Sequence, residues 1–275
     1  TAGDGFVYTA EFKGLAGNSL EKADVQGNRM YYADWDYDEE SQTSTGSIKY
    51  LDLDTLANET FPFALAEGES VACLQALEDK SLLLLPAVWN ENDMNQTYFL
   101  VKTDGSGTET MRLDATGFLT EGSAQDLNYG YPQAMQTDAE GNIYILVSGM
   151  EEKVVVLNAQ GSLLFELANQ NWSQGMCRSG DGRVFLLSYD SGSEDGSCML
   201  QYIDPKAKGY GESFGGIPMG NGSVLCAASG EKEILISSGN SLYRYDLEGK
   251  TCEPVLNWIN CDVNSDEVQA FTQLE

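Results

Sequence analysis

An internal repeat constrains the fold of this 275-residue chain more than any other feature of its sequence. Each of five units contains a short apolar run, then a second apolar run that ends in Asp or Asn, then a shorter and more polar run. The first apolar runs contain Met30, Leu82, Ile143, Val184 and Ile234, so the unit recurs roughly every 50 residues. Such a period is typical of architectures that pack one supersecondary unit against the next.

The runs within each unit have the pattern of β-strands joined by hairpin turns. Gly and Asn precede most of the first runs, as in Gln26–Asn28 and Glu140–Asn142, and they supply the backbone conformations that tight turns need. No stretch of eleven or more residues has the apolar spacing of a helix. A further run before each unit completes a four-stranded antiparallel meander. The expected strands are 20–25, 29–33, 48–52 and 59–64; 71–76, 82–85, 98–104 and 109–113; 133–137, 143–147, 154–158 and 162–167; 175–178, 184–187, 200–204 and 212–215; 223–227, 234–236, 242–246 and 252–256.

Two segments with strand patterning are left over at the ends of the chain, Phe6–Phe12 and Glu267–Leu274. We expect both to belong to one further blade, which the amino-terminal strand closes. The sequence therefore predicts an all-β fold, a six-bladed β-propeller of four-stranded antiparallel blades whose last blade is incomplete. Residues 1–275 are expected to form a single propeller domain that is truncated at the C-terminus.

The composition excludes several classes of function. Fifteen Lys and Arg against 43 Asp and Glu give a net charge of −28, which disfavours nucleic-acid binding because the phosphate backbone would be repelled. The chain has no histidine, so it cannot run Ser-His-Asp, Cys-His or His-rich zinc chemistry by itself. The longest apolar run, Leu82–Trp89, is far too short for a membrane span. The chain opens with no basic start and apolar core, so we expect that a secretory signal is absent or has been removed, which leaves a secreted origin open.

The cysteines give no metal or redox motif. Six are present, at positions 73, 177, 198, 226, 252 and 261, and none forms a CxxC pair. They allow fifteen pairings, and we favour buried thiols over a disulfide framework. Cys252 and Cys261 are the first pair to test for a bridge.

One acidic segment is a candidate for calcium binding. Asp34, Asp36 and Asp38 alternate and are followed by Glu39 and Glu40, which offers the hard oxygen ligands that Ca²⁺ prefers. The chain is acidic throughout, however, so a solvated acidic loop is the interpretation we favour. We therefore predict no metal site and no cofactor.

Three segments carry a resemblance to a known group of proteins: Phe6–Phe12, the Arg29–Tyr32 run with its acidic loop, and Leu256–Asp262. They resemble the amino-terminal propeller of large lipoproteins from Gram-positive gut anaerobes. In such proteins the propeller resembles a docking or sensing module ahead of an extracellular solute-binding domain. The resemblance implies an extracellular location at the cell surface. The solute-binding domain itself is not in this sequence.

A propeller would gather the aromatic residues of the loops on one face. That face would hold all four tryptophans and several tyrosines, beside polar groups that could bond sugar hydroxyls. It would also suit an extended peptide or a cationic partner. Packing between blades is the alternative, and we favour it for Trp172 and Trp258 but not for Trp35 and Trp89, which we expect in long polar loops. The candidate ligand-binding residues are Trp35, Asp36, Tyr37, Trp89, Asn90, Tyr129, Tyr131, Trp172, Tyr189, Asp190 and Trp258.

These features predict a monomeric protein that is not an enzyme and that binds a carbohydrate, peptide or protein partner through one loop face. The acidic surface would keep such a domain soluble and away from anionic polymers and membranes. Two alternatives stay open. One is a calcium-assisted glycan hydrolase or lyase, although nothing selects one catalytic pair among 43 carboxylates. The other is a structural spacer beside a solute-binding domain.

Overall fold

The computed structural model describes residues 23–38, 43–90, 95–120, 130–149, 151–169, 171–194, 196–219, 224–228, 230–238 and 241–257. These residues form twenty β-strands and one short α-helix. The strands make five sheets of four, each with its strands in sequence order, and each sheet is called a blade below.

Blade 1 and blade 2 contain the first eight strands, and the helix follows them. Blade 1 consists of β1 (Ala23–Gln26), β2 (Arg29–Asp38), β3 (Thr43–Asp52) and β4 (Asn58–Ala64). Blade 2 consists of β5 (Glu69–Ala76), β6 (Leu82–Asn90), β7 (Asn95–Thr103) and β8 (Glu109–Asp114), and α1 (Thr116–Leu119) comes next.

The remaining strands form three more blades. Blade 3 consists of β9 (Tyr131–Thr137), β10 (Ile143–Ser148), β11 (Lys153–Leu157) and β12 (Leu163–Ala168). Blade 4 consists of β13 (Ser173–Arg178), β14 (Val184–Tyr189), β15 (Cys198–Asp204) and β16 (Gly209–Ile217). Blade 5 consists of β17 (Val224–Ala228), β18 (Glu233–Ser238), β19 (Ser241–Asp246) and β20 (Thr251–Asn257).

The strand assignment is confirmed, since every expected strand of the five units overlaps an observed one. The prediction of six blades is wrong, because the described residues form five. The sixth blade depended on Phe6–Phe12 and Glu267–Leu274, which carried only two of the four strands that a blade needs. Both segments lie outside the described residues.

The chain divides into two compact units. The blade 1–2 unit comprises the described residues from 23 to 135 together with 147–149 and 151. The blade 3–5 unit comprises the described residues 136–146 and those from 152 onward. The boundary passes through β9 and β10, so most of β9 and the last two residues of β10 fall in the blade 1–2 unit.

A continuous apolar core fills the space between blades 1 and 2. Alternate residues of β2, Tyr31 and Ala33, face Leu82 and Leu84 of β6, which are also alternate residues. Phe61 stacks edge-on against Tyr31, with ring centroids 5.9 Å apart. The two sheets therefore pack face to face through side chains that the strand pattern places on one side.

A close backbone contact also joins these two blades. Gly107, in the turn between β7 and β8, has φ +81°, and a methyl group there would lie 2.3 Å from the carbonyl oxygen of Pro62 in β4. Only glycine can adopt this positive φ at low cost and also leave room for the Pro62 carbonyl, because it has no Cβ atom. The turn is held by Asp104, whose carboxylate accepts hydrogen bonds from the amides of Ser106 and Thr108.

Blades 4 and 5 have a core of their own. Phe185, Phe214 and Tyr245 form a chain of aromatic contacts, with neighbouring ring centroids about 6 Å apart. Cys198 and Cys252 are thiols within or beside this core, and burial raises the pKa of Cys252 to about 11. No helix in the described part of the chain is long and apolar enough to span a membrane.

Candidate functional site

The candidate site lies where the β2–β3 hairpin of blade 1 extends beyond the core. Trp35 is directly opposite Gly46 in the β2–β3 ladder. A methyl group at Gly46 would lie 3.1 Å from Cη2 and Cζ3 of Trp35 and 2.8 Å from Cδ1 of Leu65. The indole therefore rests on the bare backbone of Gly46 and beside Leu65, while 45% of the residue remains exposed. The result is an aromatic surface that is held from below and open above.

The register of β2 explains why this indole sits where it does. Tyr31, Ala33 and Trp35 alternate along the strand, so all three face blade 2. Leu65 packs on the edge of the core that Tyr31 and Ala33 help to form. Trp35 therefore covers the end of the inter-blade core with part of its ring system and presents the rest to solvent.

Two carboxylates near this hairpin, those of Asp34 and Glu69, are paired with cations within the protein. Lys49 of β3 donates to the carboxylate of Asp34. Glu69, at the start of β5, has a side chain that is only 2% exposed, and its Oε1 accepts from Arg112 at 2.7 Å. Its Oε2 accepts from the amide of Ala66 at 2.8 Å. These pairs hold the segment between blades 1 and 2 in place and neutralise Asp34 and Glu69.

A second exposed indole belongs to blade 2. Trp89 is 51% exposed and is directly opposite Gln96 in the β6–β7 ladder. The Gln96 side-chain oxygen accepts a hydrogen bond from the hydroxyl of Tyr98, which is buried. Asn90 and Asn95 form the next cross-strand pair. Trp89 therefore has one amide side chain, that of Gln96, opposite it on the same face, and amide groups can both donate and accept hydrogen bonds.

Trp35 and Trp89 were expected in long polar loops, and both are in strands instead. β2 continues to Asp38 and β6 continues to Asn90, so the hairpins are longer and the loops shorter than predicted. Polar and apolar residues alternate along the β2 extension, Asp34–Asp38, which is compatible with a two-stranded ribbon that is open to solvent on one side. Pro86 lies inside β6 and is buried in the sheet.

Of the remaining candidates in blades 1 to 3, Tyr131 begins β9, belongs to the blade 1–2 unit and is 53% exposed. The backbone of Asp36 and Tyr37 is in β2, but their side chains are not described. Tyr129 and Trp258 lie outside the described residues.

Three candidates lie in the blade 3–5 unit. Trp172 precedes β13 and is 81% exposed, and its carbonyl accepts from the amide of Tyr189 at 2.8 Å. Asp190 bonds within its own hairpin, where its Oδ1 accepts from the amide of Gly192 at 3.0 Å. The expected single face that unites these residues with Trp35 stays a prediction.

One carboxylate fixes the segment that presents Trp172. Glu152 Oε2 accepts from the amide and the hydroxyl of Ser173, both at 2.9 Å, and from Asn169 Nδ2 at 3.0 Å. The Glu152 carbonyl also accepts from the amide of Asn169. Sequence analysis did not single out Glu152, and its polar neighbours gave no signal of this role.

The largest pKa shifts lie away from the exposed indoles. Burial raises the pKa of Tyr144, whose hydroxyl donates to Asp138 at 2.9 Å. Burial also raises the pKa of Tyr210 to about 12. Both tyrosines belong to the blade 3–5 unit, and their burial in it accounts for the two pKa shifts. Within the residues that the structure describes, no group of three acidic or cysteine side chains is placed to hold a metal ion.

Comparison with known proteins identifies the fold. No protein-family profile and no curated protein matches the sequence. The β-propeller domain of the trilobed protease from Pyrococcus furiosus is 11% identical with a TM-score of 0.54, over 88% of this chain and 72% of that one. Acylaminoacyl peptidase from Pyrococcus horikoshii is 10% identical with a TM-score of 0.53, over 86% and 39%. Apocarotenoid oxygenase from Synechocystis is 12% identical with a TM-score of 0.52, over 85% and 58%.

These similarities show a β-propeller fold for the chain. They also correct the expectation that it is not an enzyme, since a protease, a peptidase and an oxygenase are among the similar structures. At 10–12% identity, the likeness leaves the catalytic status of this chain open. The chain spans less than two thirds of the peptidase and of the oxygenase. The resemblance to lipoproteins stays a prediction.

Proposed function

We propose that the chain binds a neutral carbohydrate on the extended hairpins of blades 1 and 2. The observation that carries this proposal is the indole of Trp35, which is held on Gly46 and Leu65 and is 45% exposed. The C–H face of a pyranose ring packs well on such a flat apolar surface, and an immobilised ring loses little entropy on binding.

The polar surroundings favour a sugar over a cation. Asp34 and Glu69 already have cationic partners in Lys49 and Arg112, so they offer little attraction to a positively charged ligand. The amides near Trp89 suit hydroxyl groups, which need donors and acceptors together. An extracellular location belongs to the same proposal and rests on the resemblance alone.

Native gel electrophoresis in the presence of soluble β-glucan, galactomannan or xylan tests the proposal. We expect at least one polysaccharide to retard the protein, and Trp35→Ala to weaken binding at least about tenfold, because one aromatic platform contributes more than about 1.4 kcal/mol. Met219→Ala is the control, since it removes a large apolar side chain that is 43% exposed and is not a candidate ligand-binding residue.

Urea unfolding of each variant shows that the fold persists. Retardation by no polysaccharide, or equal retardation of the native and Trp35→Ala proteins, would overturn the proposal. The same mixtures can be assayed for new reducing ends, which would report cleavage of the bound glycan.

A further inference from the structure

Among the described strands, the last strand of each blade is an edge strand, because it pairs with a described strand on one side only. Such edges invite pairing with another chain, and proteins usually protect them with proline, charge or irregular backbone. Four of the five last strands of the described blades are protected in one of these ways. β4 contains Pro62, β20 contains Pro254, and β16 has glycines and two irregular positions in its pairing with β15. β8 carries Glu109, Arg112 and Asp114.

β12 of blade 3 has less of this protection than the other last strands. Its sequence is Leu-Leu-Phe-Glu-Leu-Ala, with no proline, no glycine and one charged residue. Leu163 is 44% exposed and Leu164 is 36% exposed, so the strand presents apolar side chains to solvent. The single charge, Glu166, is paired with Lys153 of β11 at 3.3 Å.

The backbone of β12 is regular over most of its length. Residues from Phe165 to Ala168 pair in unbroken register with Val156 to Lys153 of β11. The one irregularity is confined to the start of the strand, next to Leu163. A straight four-residue edge therefore remains, and its outward amides and carbonyls are arranged as a template for one more strand.

We propose that β12 accepts an extended peptide strand from a partner protein, in which apolar residues alternate with basic ones. Main-chain hydrogen bonds to the β12 edge would supply affinity, and Leu163 and Leu164 would contact the apolar side chains. The occupant is basic rather than a second copy of this chain, because two chains of net charge −28 repel each other. The same charge attracts a cationic segment and speeds its association.

Fluorescence anisotropy with a labelled octapeptide, Lys-Val-Thr-Val-Lys-Val-Thr-Val, tests this proposal. One comparison peptide has Glu in place of Lys. Another keeps the side chains but is N-methylated at its four central residues, so that these residues cannot donate main-chain hydrogen bonds. We expect the basic peptide to bind, and each comparison peptide to bind at least about tenfold more weakly.

Two protein variants locate the site. Leu163→Thr with Leu164→Thr removes apolar surface without changing charge or strand propensity, and it should weaken binding at least about tenfold. Leu113→Thr in β8 is the matched control, because Leu113 is also 36% exposed on a last strand. It should change the affinity by less than about twofold. All three residues are exposed, so both variants should keep the native urea midpoint.

Each other result counts against the proposal. Equal binding of the N-methylated peptide would exclude strand addition, and equal binding of the acidic peptide would exclude the charge argument. Failure of the basic peptide to bind would remove the proposal altogether. Sedimentation velocity of the protein alone covers the second-copy outcome: a dimer that Leu163→Thr with Leu164→Thr dissolves would assign the edge to self-association instead.

Discussion

Replacement of Gly46 tests whether the orientation of Trp35 matters. A methyl group at this position would lie 2.8 Å from Leu65 Cδ1 and 3.1 Å from two indole carbons of Trp35. Carbon atoms pack at about 3.5–4.0 Å, so the indole has to move by roughly half an ångström or more. The Leu65 methyl is the end of a flexible side chain and can turn aside. The change therefore acts mainly on the platform.

The effect on stability should be small. Overpacking a closed core costs about 1–3 kcal/mol, but this indole can shift toward solvent because it is 45% exposed. Replacing glycine in a strand by alanine also recovers about 0.5–1 kcal/mol. We expect Gly46→Ala to change the free energy of unfolding by less than about 1 kcal/mol and to weaken carbohydrate binding at least about fivefold. Gly46→Val should cost about 2 kcal/mol and weaken binding further.

Three measurements separate platform displacement from unfolding. Urea unfolding gives the stability, calorimetric titration with the polysaccharide that retards the native protein gives the affinity, and iodide quenching reports the exposure of Trp35 when a Trp35→Phe background is subtracted. Full affinity in Gly46→Val would refute the platform. A loss of more than about 3 kcal/mol in Gly46→Ala would show instead that Trp35 is a core residue that cannot move.

Three further predictions concern stability. Arg112→Ala strands the buried Glu69 carboxylate and should lower the free energy of unfolding in urea by about 3–5 kcal/mol, and Glu69→Gln in the same chain should restore part of it. A loss below about 1 kcal/mol would contradict the role of this pair. Glu152→Ala should cost about 2 kcal/mol in the same assay, with partial rescue by Gln; an unchanged urea midpoint would contradict it. Hydrogen bonds from the Ser106 hydroxyl and the Thr108 amide lower the pKa of Asp104. The contribution of this carboxylate to folding stability is therefore complete above its unfolded pKa of about 3.9, and it is lost as the pH falls through the lower folded pKa. Asp104→Asn cannot titrate and should lose less melting temperature between about pH 5 and 2 than the native chain; an equal loss would argue against Asp104.

The strands could be predicted because their signals are local. Asp or Asn followed by Gly marks the turns, and Asp104 shows why: one carboxylate satisfies the amides of a turn that the chain would otherwise leave unpaired. Apolar alternation marks the strands that the turns connect. The number of blades could not be predicted in this way. A leftover segment such as Phe6–Phe12 has the same strand patterning whichever sheet it joins, so its pattern does not show which blade it belongs to.

The candidate site could be predicted only in part, because only some of its signals are local in the sequence. Trp35 and Trp89 could be singled out as large aromatic residues in polar surroundings. Their supports could not be, because Gly46 meets Trp35 only through the register of the β2–β3 hairpin, and Leu65, which follows Ala64 of β4, meets it only through the register of β4 on β3. The register of neighbouring strands depends on residues that are distant in sequence.

The middle strands of the five described blades differ in length, and this difference shows how many residues a blade needs in order to fold. The middle strands of blades 3, 4 and 5 have five to seven residues, and this length suffices for a four-stranded blade. The middle strands of blade 1 have ten residues and those of blade 2 have nine. At about 3.3 Å per residue, these hairpins extend roughly 10 Å farther than a blade requires. Trp35 and Trp89 lie on these extensions, and Trp35 is held there by a glycine. Two of the five described blades have such additions, and both additions carry an exposed indole, which is the arrangement expected of the binding surface proposed above and is not required for packing.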